Sequence, residues 1–136
     1  MSKERKKLSM DEVETAFRNE FQPIQDRFLV QRIPLNLAPS DKTAGVNAPG
    51  VYVYWNSQHG VIVVGKSQAN SRSRALEHIR DHARGGTLDM ATLRGDANAY
   101  LLLFNIKAAK DWHWLLGLEA FLETHIDPLI RAGRIG

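Results

Sequence analysis

The run Gly60-Val-Ile-Val-Val-Gly65-Lys66-Ser67 has the spacing of a phosphate-binding loop: a glycine, four residues, then Gly-Lys-Ser. Such a loop needs a glycine-rich backbone that can curl its N–H groups around phosphate oxygens. Val61, Ile62, Val63 and Val64 are all β-branched, stiff at χ1 and suited to extended backbone instead. The later apolar run carries Asn105 where a magnesium-holding aspartate would stand. The segment therefore reads as a strand ending at Gly65, with Lys66 just beyond it.

Three further sets of residues could do chemistry. Arg74 and His78 stand four apart on one helical face, with Leu76, Ile79 and Ala83 marking the buried side. A guanidinium grips phosphate oxygens as a planar fork, and an imidazole relays protons near neutral pH, although such a pair is more often plain surface. His82 extends the stripe, but no third ligand stands at a spacing that would complete a metal site. Tyr52 and Tyr54 are two apart and share one strand face, the ordinary arrangement for packing with a wet hydroxyl. Glu119 falls within an apolar stripe of Trp112, Leu115, Leu122 and Ile126. A carboxylate there requires a cation, either a metal ion or a salt-bridge partner such as Arg74 or Lys66, and the pattern alone does not choose. Glu123, one turn on, reads as solvated.

The elements that position these groups follow from periodicity. Ser9 to Glu12 form a capping box, and Val13, Phe17 and Phe21 recur at helical spacing, so a helix runs from about Met10 to near Pro23. Residues 31–50, rich in Pro, Gly, Asn and Ser, read as a surface loop. "GVYVYW", the turn "NSQHG" and "VIVVG" make a hairpin. A helix starts at Asn70 or Ser71 and runs to Ala83, closed by Gly85 and Gly86. "AYLLLFNI" is a strand buried on both faces, and Asp111 caps a last helix running to about His125, before Pro128. The predicted fold class is α/β, a small three-stranded antiparallel sheet flanked by helices.

At 136 residues the chain suits one compact unit. The absence of cysteine excludes disulfides, thiolate metal sites and a cysteine nucleophile, and suits a reducing cytoplasm. No apolar run reaches membrane-spanning length and the basic start leads into no apolar core, so neither a membrane nor a secretory signal is expected. The formal charge is only +3, but residues 66–94 hold six Lys/Arg against three acids, whereas residues 9–30 hold two Arg against five acids. That asymmetry predicts a face that attracts anions.

The order helix, hairpin, helix, strand, helix, with Gly50-Val51-Tyr52 opening the hairpin and Val63-Val64-Gly65 closing it, resembles the GIY-YIG nuclease superfamily. "GKSQANSRSRALEH" is similar to that family's run from Gly-Lys through Asn to Arg and His, which maps the arginine onto Arg74 and the histidine onto His78. "LGLEAFLETHIDPLI" looks like the last helix of the family, which maps its metal-binding glutamate onto Glu119. The resemblance covers roughly residues 49–131, dividing the chain into an N-terminal helix and loop extension (1–48) and a GIY-YIG-like domain (49–136). Val63 stands where the second tyrosine belongs, and Arg131 where a late asparagine does.

The resemblance implies a cytoplasmic endonuclease that hydrolyses DNA phosphodiesters with Mg²⁺ or Mn²⁺ held by Glu119. Tyr52, Arg74, His78 and Glu119 are then the catalytic set, and Lys66, Arg72 and Arg80 bind nucleic acid. Specificity in so small a domain would come from the N-terminal segment, a second copy or a partner subunit. The substitutions at Val63 and Arg131 make a catalytically inactive nucleic-acid-binding module the alternative. A protein-interaction domain, suggested by the three tryptophans, ranks third.

Overall fold

The computed structural model describes residues 7–81 and 95–129, with the backbone alone for residues 78–81. Helix α1 spans Met10–Glu20 and opens with the expected capping box: Ser9 Oγ accepts from Glu12 N–H, and Glu12 Oε1 from Ser9 N–H. A 3-10 segment containing Pro23 then leads into strand β1, Phe28–Pro34. After a loop, β2 (Gly50–Asn56) and β3 (Gly60–Ser67) form the hairpin. The remaining elements are α2 (Ser71–Asp81), β4 (Ala99–Ile106) and α3 (Trp114–His125). The part of the sequence-derived α2 beyond Asp81, with its glycine stop and His82, lies outside the described residues, as does Arg131.

The strands form one antiparallel sheet in the order β1-β4-β2-β3. The fold is α/β as expected, but with four strands, not three. The added strand is β1, whose last residues, Gln31 to Pro34, have the composition of a loop. It lies at the sheet edge, where proline is tolerated, and pairs along its whole length with β4, from Phe28↔Ile106 to Pro34↔Tyr100. Arg32 on this strand holds Asp11 and Glu14 of α1 at 2.5 Å, tying the helix to the edge.

Two cores sandwich the sheet. Against one face pack Val13 and Phe17 of α1 and Leu115, Leu118 and Leu122 of α3, meeting Val51, Val53, Val64, Leu102 and Phe104. The other face carries Tyr52, Tyr54, Leu101 and Leu103 under Ala75 of α2 and the 3-10 residues Leu35 and Ala38. A bulge sets the alternation in β3. Tyr54 pairs with Val63 and Trp55 with Val61, so Ile62 has no partner, and Ile62 and Val63 turn to the same face.

Asp111 does not cap α3, which starts three residues later and has no side-chain cap. Its buried carboxylate instead accepts from Arg27 Nη1 at 3.0 Å. The apolar stripe of α3 is also rotated from the expected one: Leu118 lies at its centre, Trp112 precedes the helix and is exposed, and Glu123 is fully buried.

Candidate functional site

The glycines of the hairpin motif are required by what lies over them. A Cβ at Gly50 would overlap the side chain of Asn105, its partner on β4. A Cβ at Gly65 would overlap Cζ and Oη of Tyr52, its partner on β2. The Tyr52 phenol thus lies across the edge strand, ending over a residue without a side chain. The ring is fully buried and meets Tyr54 edge-on at 5.6 Å between centroids.

Tyr54 serves a different purpose. Its hydroxyl donates to the carbonyl of Ala75 in α2, locking that helix to the sheet. Burial, helped by neighbouring Tyr52, pushes its phenol well above its ordinary pKa of 10, against the opposing pull of Arg74. Val63, which the resemblance sets at the position of a second tyrosine, is packed in the core.

The start of α2 is fixed by polar contacts. Asn70 caps it, accepting from Ser73 N–H at 3.0 Å. Ser71 Oγ donates to Asn105 Oδ1 at 2.5 Å, and Asn105 Nδ2 donates to the Gly45 carbonyl at 2.7 Å. The sequence marked Asn105 only as a missing aspartate; its work is to join β4, the loop and α2. Arg72 points its guanidinium at the same loop, donating to the carbonyls of Ala38 and Asp41 and to Asn47 Oδ1. Arg74 pairs with Glu77 one turn on, at 3.3 Å. His78 and Arg80 lie in α2, and their side chains are outside the described residues.

Glu119 lies on the other side of the sheet. Its carboxylate faces Lys66 Nζ at 3.9 Å, with the side chains 16% and 25% exposed. Lys66 follows Gly65 in β3, so successive side-chain positions send the Tyr52 contact to one face and the Glu119 pair to the other. The expected set therefore divides: Tyr52 and Arg74 on the α2 face, Glu119 and Lys66 on the α3 face, with the Tyr52 ring over Gly65 and the Glu119 pair at Lys66, successive residues of the edge strand β3.

Among the described residues no three of His, Cys, Asp and Glu come together as a metal cluster. That leaves Glu119 as a single hard oxygen donor. Mg²⁺ keeps several waters and is commonly held by one or two carboxylates together with substrate phosphates, so this donor suits an ion shared with substrate and not a closed zinc site. Glu123, read as solvated in the sequence, is instead buried one turn further along, facing the core because the stripe is centred on Leu118.

No helix among the described residues is long and apolar enough to cross a membrane. Compared with protein-family models, curated proteins and solved structures, the chain matches none.

Proposed function

We propose that the chain is a GIY-YIG-like endonuclease acting on DNA, with its site astride the edge strand at Gly65 and Lys66. One juxtaposition supports this reading: the Tyr52 hydroxyl ends over Gly65, and the very next residue holds Glu119. A phosphodiester lying along that edge would meet an ammonium and a carboxylate, with the Tyr52 phenol buried on the opposite face of the same strand.

In this reading the Tyr52 phenol passes its own proton to His78 as it takes the proton of the attacking water, so that the net transfer is from water to the imidazole. Arg74 offsets charge developing on the phosphorane; its pairing with Glu77 is exposed and weak enough to yield to a phosphate. Lys66 exchanges Glu119 for a phosphate oxygen. Glu119 is then free to hold Mg²⁺ or Mn²⁺, which when bound polarises the scissile phosphate. Arg80 supports binding from α2, while Arg72 acts indirectly by fixing the loop behind it.

Two observations favour the second reading, a nucleic-acid-binding module without catalysis: Tyr52 is fully buried, and Val63 is core. Incubating the protein with supercoiled plasmid and Mg²⁺ or Mn²⁺ separates the two. The nuclease yields nicked circles, and Glu119→Gln lowers the rate by about 100-fold or more while leaving binding intact. Salt-sensitive binding without nicking would leave the module, and the absence of both would overturn each reading.

A further inference from the structure

At the end of the sheet where β2 begins and β3 finishes, Pro49, Gln68, Ala109 and Trp112 enclose an open groove of about 310 Å³. Pro49 precedes the first residue of β2, and Gln68 lies two residues beyond Lys66. Trp112 is 48% exposed, one of the few large apolar side chains on the described surface. It is not on a loose loop. Trp112 N–H donates to the Ala109 carbonyl at 3.2 Å, and its own carbonyl accepts from Leu115 at 3.0 Å. The neighbouring Asp111 is anchored by Arg27. Pro49 is held equally firmly, its carbonyl accepting from Ile106 N–H at 3.0 Å.

Lys107 and Lys110 bracket Ala109, and both are exposed. Neither ammonium forms an ion pair among the described residues. Asp111, the acid nearest in sequence, is already paired with Arg27. The stretch Lys107 to Trp112 thus presents an exposed indole on a hydrogen-bonded backbone, two and five residues beyond cations that form no ion pair among the described residues, beside a groove too small for a duplex.

We propose that this groove takes an unpaired nucleobase from single-stranded or locally opened DNA. The base would stack on Trp112, with Lys107 and Lys110 on the flanking phosphates. Base–aromatic stacking is favourable for every base because each has a π-face, and cations alongside track the backbone. Pro49 would close the opposite wall, and the Gln68 amide, which both donates and accepts, would meet the polar edge of the base. The proposal rests on the nucleic-acid reading above and refines its substrate: a strand whose bases are accessible next to the cleavage edge.

The test is fluorescence anisotropy at low salt with a labelled oligothymidylate and a duplex of equal length, using wild type, Trp112→Ala and Trp112→Phe. Melting curves check that each variant is folded. Trp112→Ala should weaken single-strand binding about tenfold, within the range for loss of one stacked base. Trp112→Phe should retain most of the affinity, and duplex binding should be unchanged by either substitution. Replacing Lys107 and Lys110 together by alanine should reduce the salt slope on the single strand by about 1.4, two contacts at about 0.7 each. Equal single-strand affinity of Trp112→Ala and wild type would overturn the groove assignment while leaving duplex binding and nicking to stand. Exposed Leu116, one turn from Trp112, frames the competing outcome. If Trp112→Ala splits a dimer in sedimentation and leaves single-strand affinity untouched, the patch joins copies of the chain and the proposal fails. Absence of binding to either DNA would remove this proposal together with the reading beneath it.

Discussion

The two faces of the sheet hold their helices in different ways. On the α1/α3 face, Phe17 packs against Phe21, Phe28 and Phe104 with ring centroids 5.1–5.8 Å apart, and three leucines of α3 complete an apolar core. On the α2 face, the helix offers only Ala75 and Leu76 to the core among its described side chains. What fixes it is directional: Tyr54 to Ala75, Ser71 to Asn105, and Arg72 to the loop carbonyls. Apolar packing is roughly proportional to buried area and indifferent to direction, whereas hydrogen bonds set position to a few tenths of an ångström. Both faces bury an apolar core, but α1 and α3 are held chiefly by packing and α2 chiefly by registration. The residues proposed to handle phosphate from α2 sit on the registered face.

The largest expected effect tests the apolar side. Phe17→Ala removes a fully buried ring and should cost about 3–5 kcal/mol, measured as a lowered urea midpoint. A loss below about 1 kcal/mol would mean that this face is not where the stability resides.

A smaller effect is expected from the registered side. Tyr54→Phe deletes one buried hydrogen bond, costing about 1 kcal/mol near neutral pH. The substitution should also change the alkaline limb of stability. In the folded state the Tyr54 phenol titrates above its ordinary value of 10, so the unfolded chain binds fewer protons once the pH passes 10. The associated stability is complete below about pH 10 and is lost as pH rises towards the folded value. Melting temperature against pH should therefore fall more steeply for wild type than for Tyr54→Phe above pH 10. Parallel curves would show that Tyr54 is not the buried, bonded phenol described here.

Both faces were legible only in part from sequence, for physical reasons. The hairpin, β4 and the caps of α1 and α2 rest on local periodicity and short-range hydrogen bonds, and these were legible. Strand β1 was not, because Gln31, Arg32 and Pro34 break its apolar pattern and its partner lies some seventy residues away on β4. The bulge at Ile62 was equally hidden: four consecutive β-branched residues carry no signal of which one loses its partner. In α3 the sequence spacing extends the stripe to Trp112, although that residue precedes the helix. Moving the centre to Leu118 takes Glu119 to the rim and Glu123 into the core. The division of Tyr52 from Glu119 across β3 depends on strand parity and on where α3 docks, and only the second of these is long-range.

The smallest expected effect concerns that rim. Were Glu119 and Lys66 a fully buried pair, removing one charge would strand the other, at a cost of about 3–5 kcal/mol. The observed pair is partly solvated and 3.9 Å apart, a geometry in which little Coulomb energy survives screening. Glu119→Gln should therefore cost less than about 1 kcal/mol, as should Lys66→Met, and the double variant should show a coupling no larger. Raising the salt concentration should reduce that coupling further. A loss of several kcal/mol in Glu119→Gln would break the contrast between the faces, because α3 too would then depend on a polar contact for its place. A small loss leaves Glu119 structurally dispensable. A carboxylate that the fold can spare, held beside a lysine at the edge where Tyr52 ends, is what the proposed function requires: there Lys66 would turn to a phosphate and leave Glu119 for a metal ion.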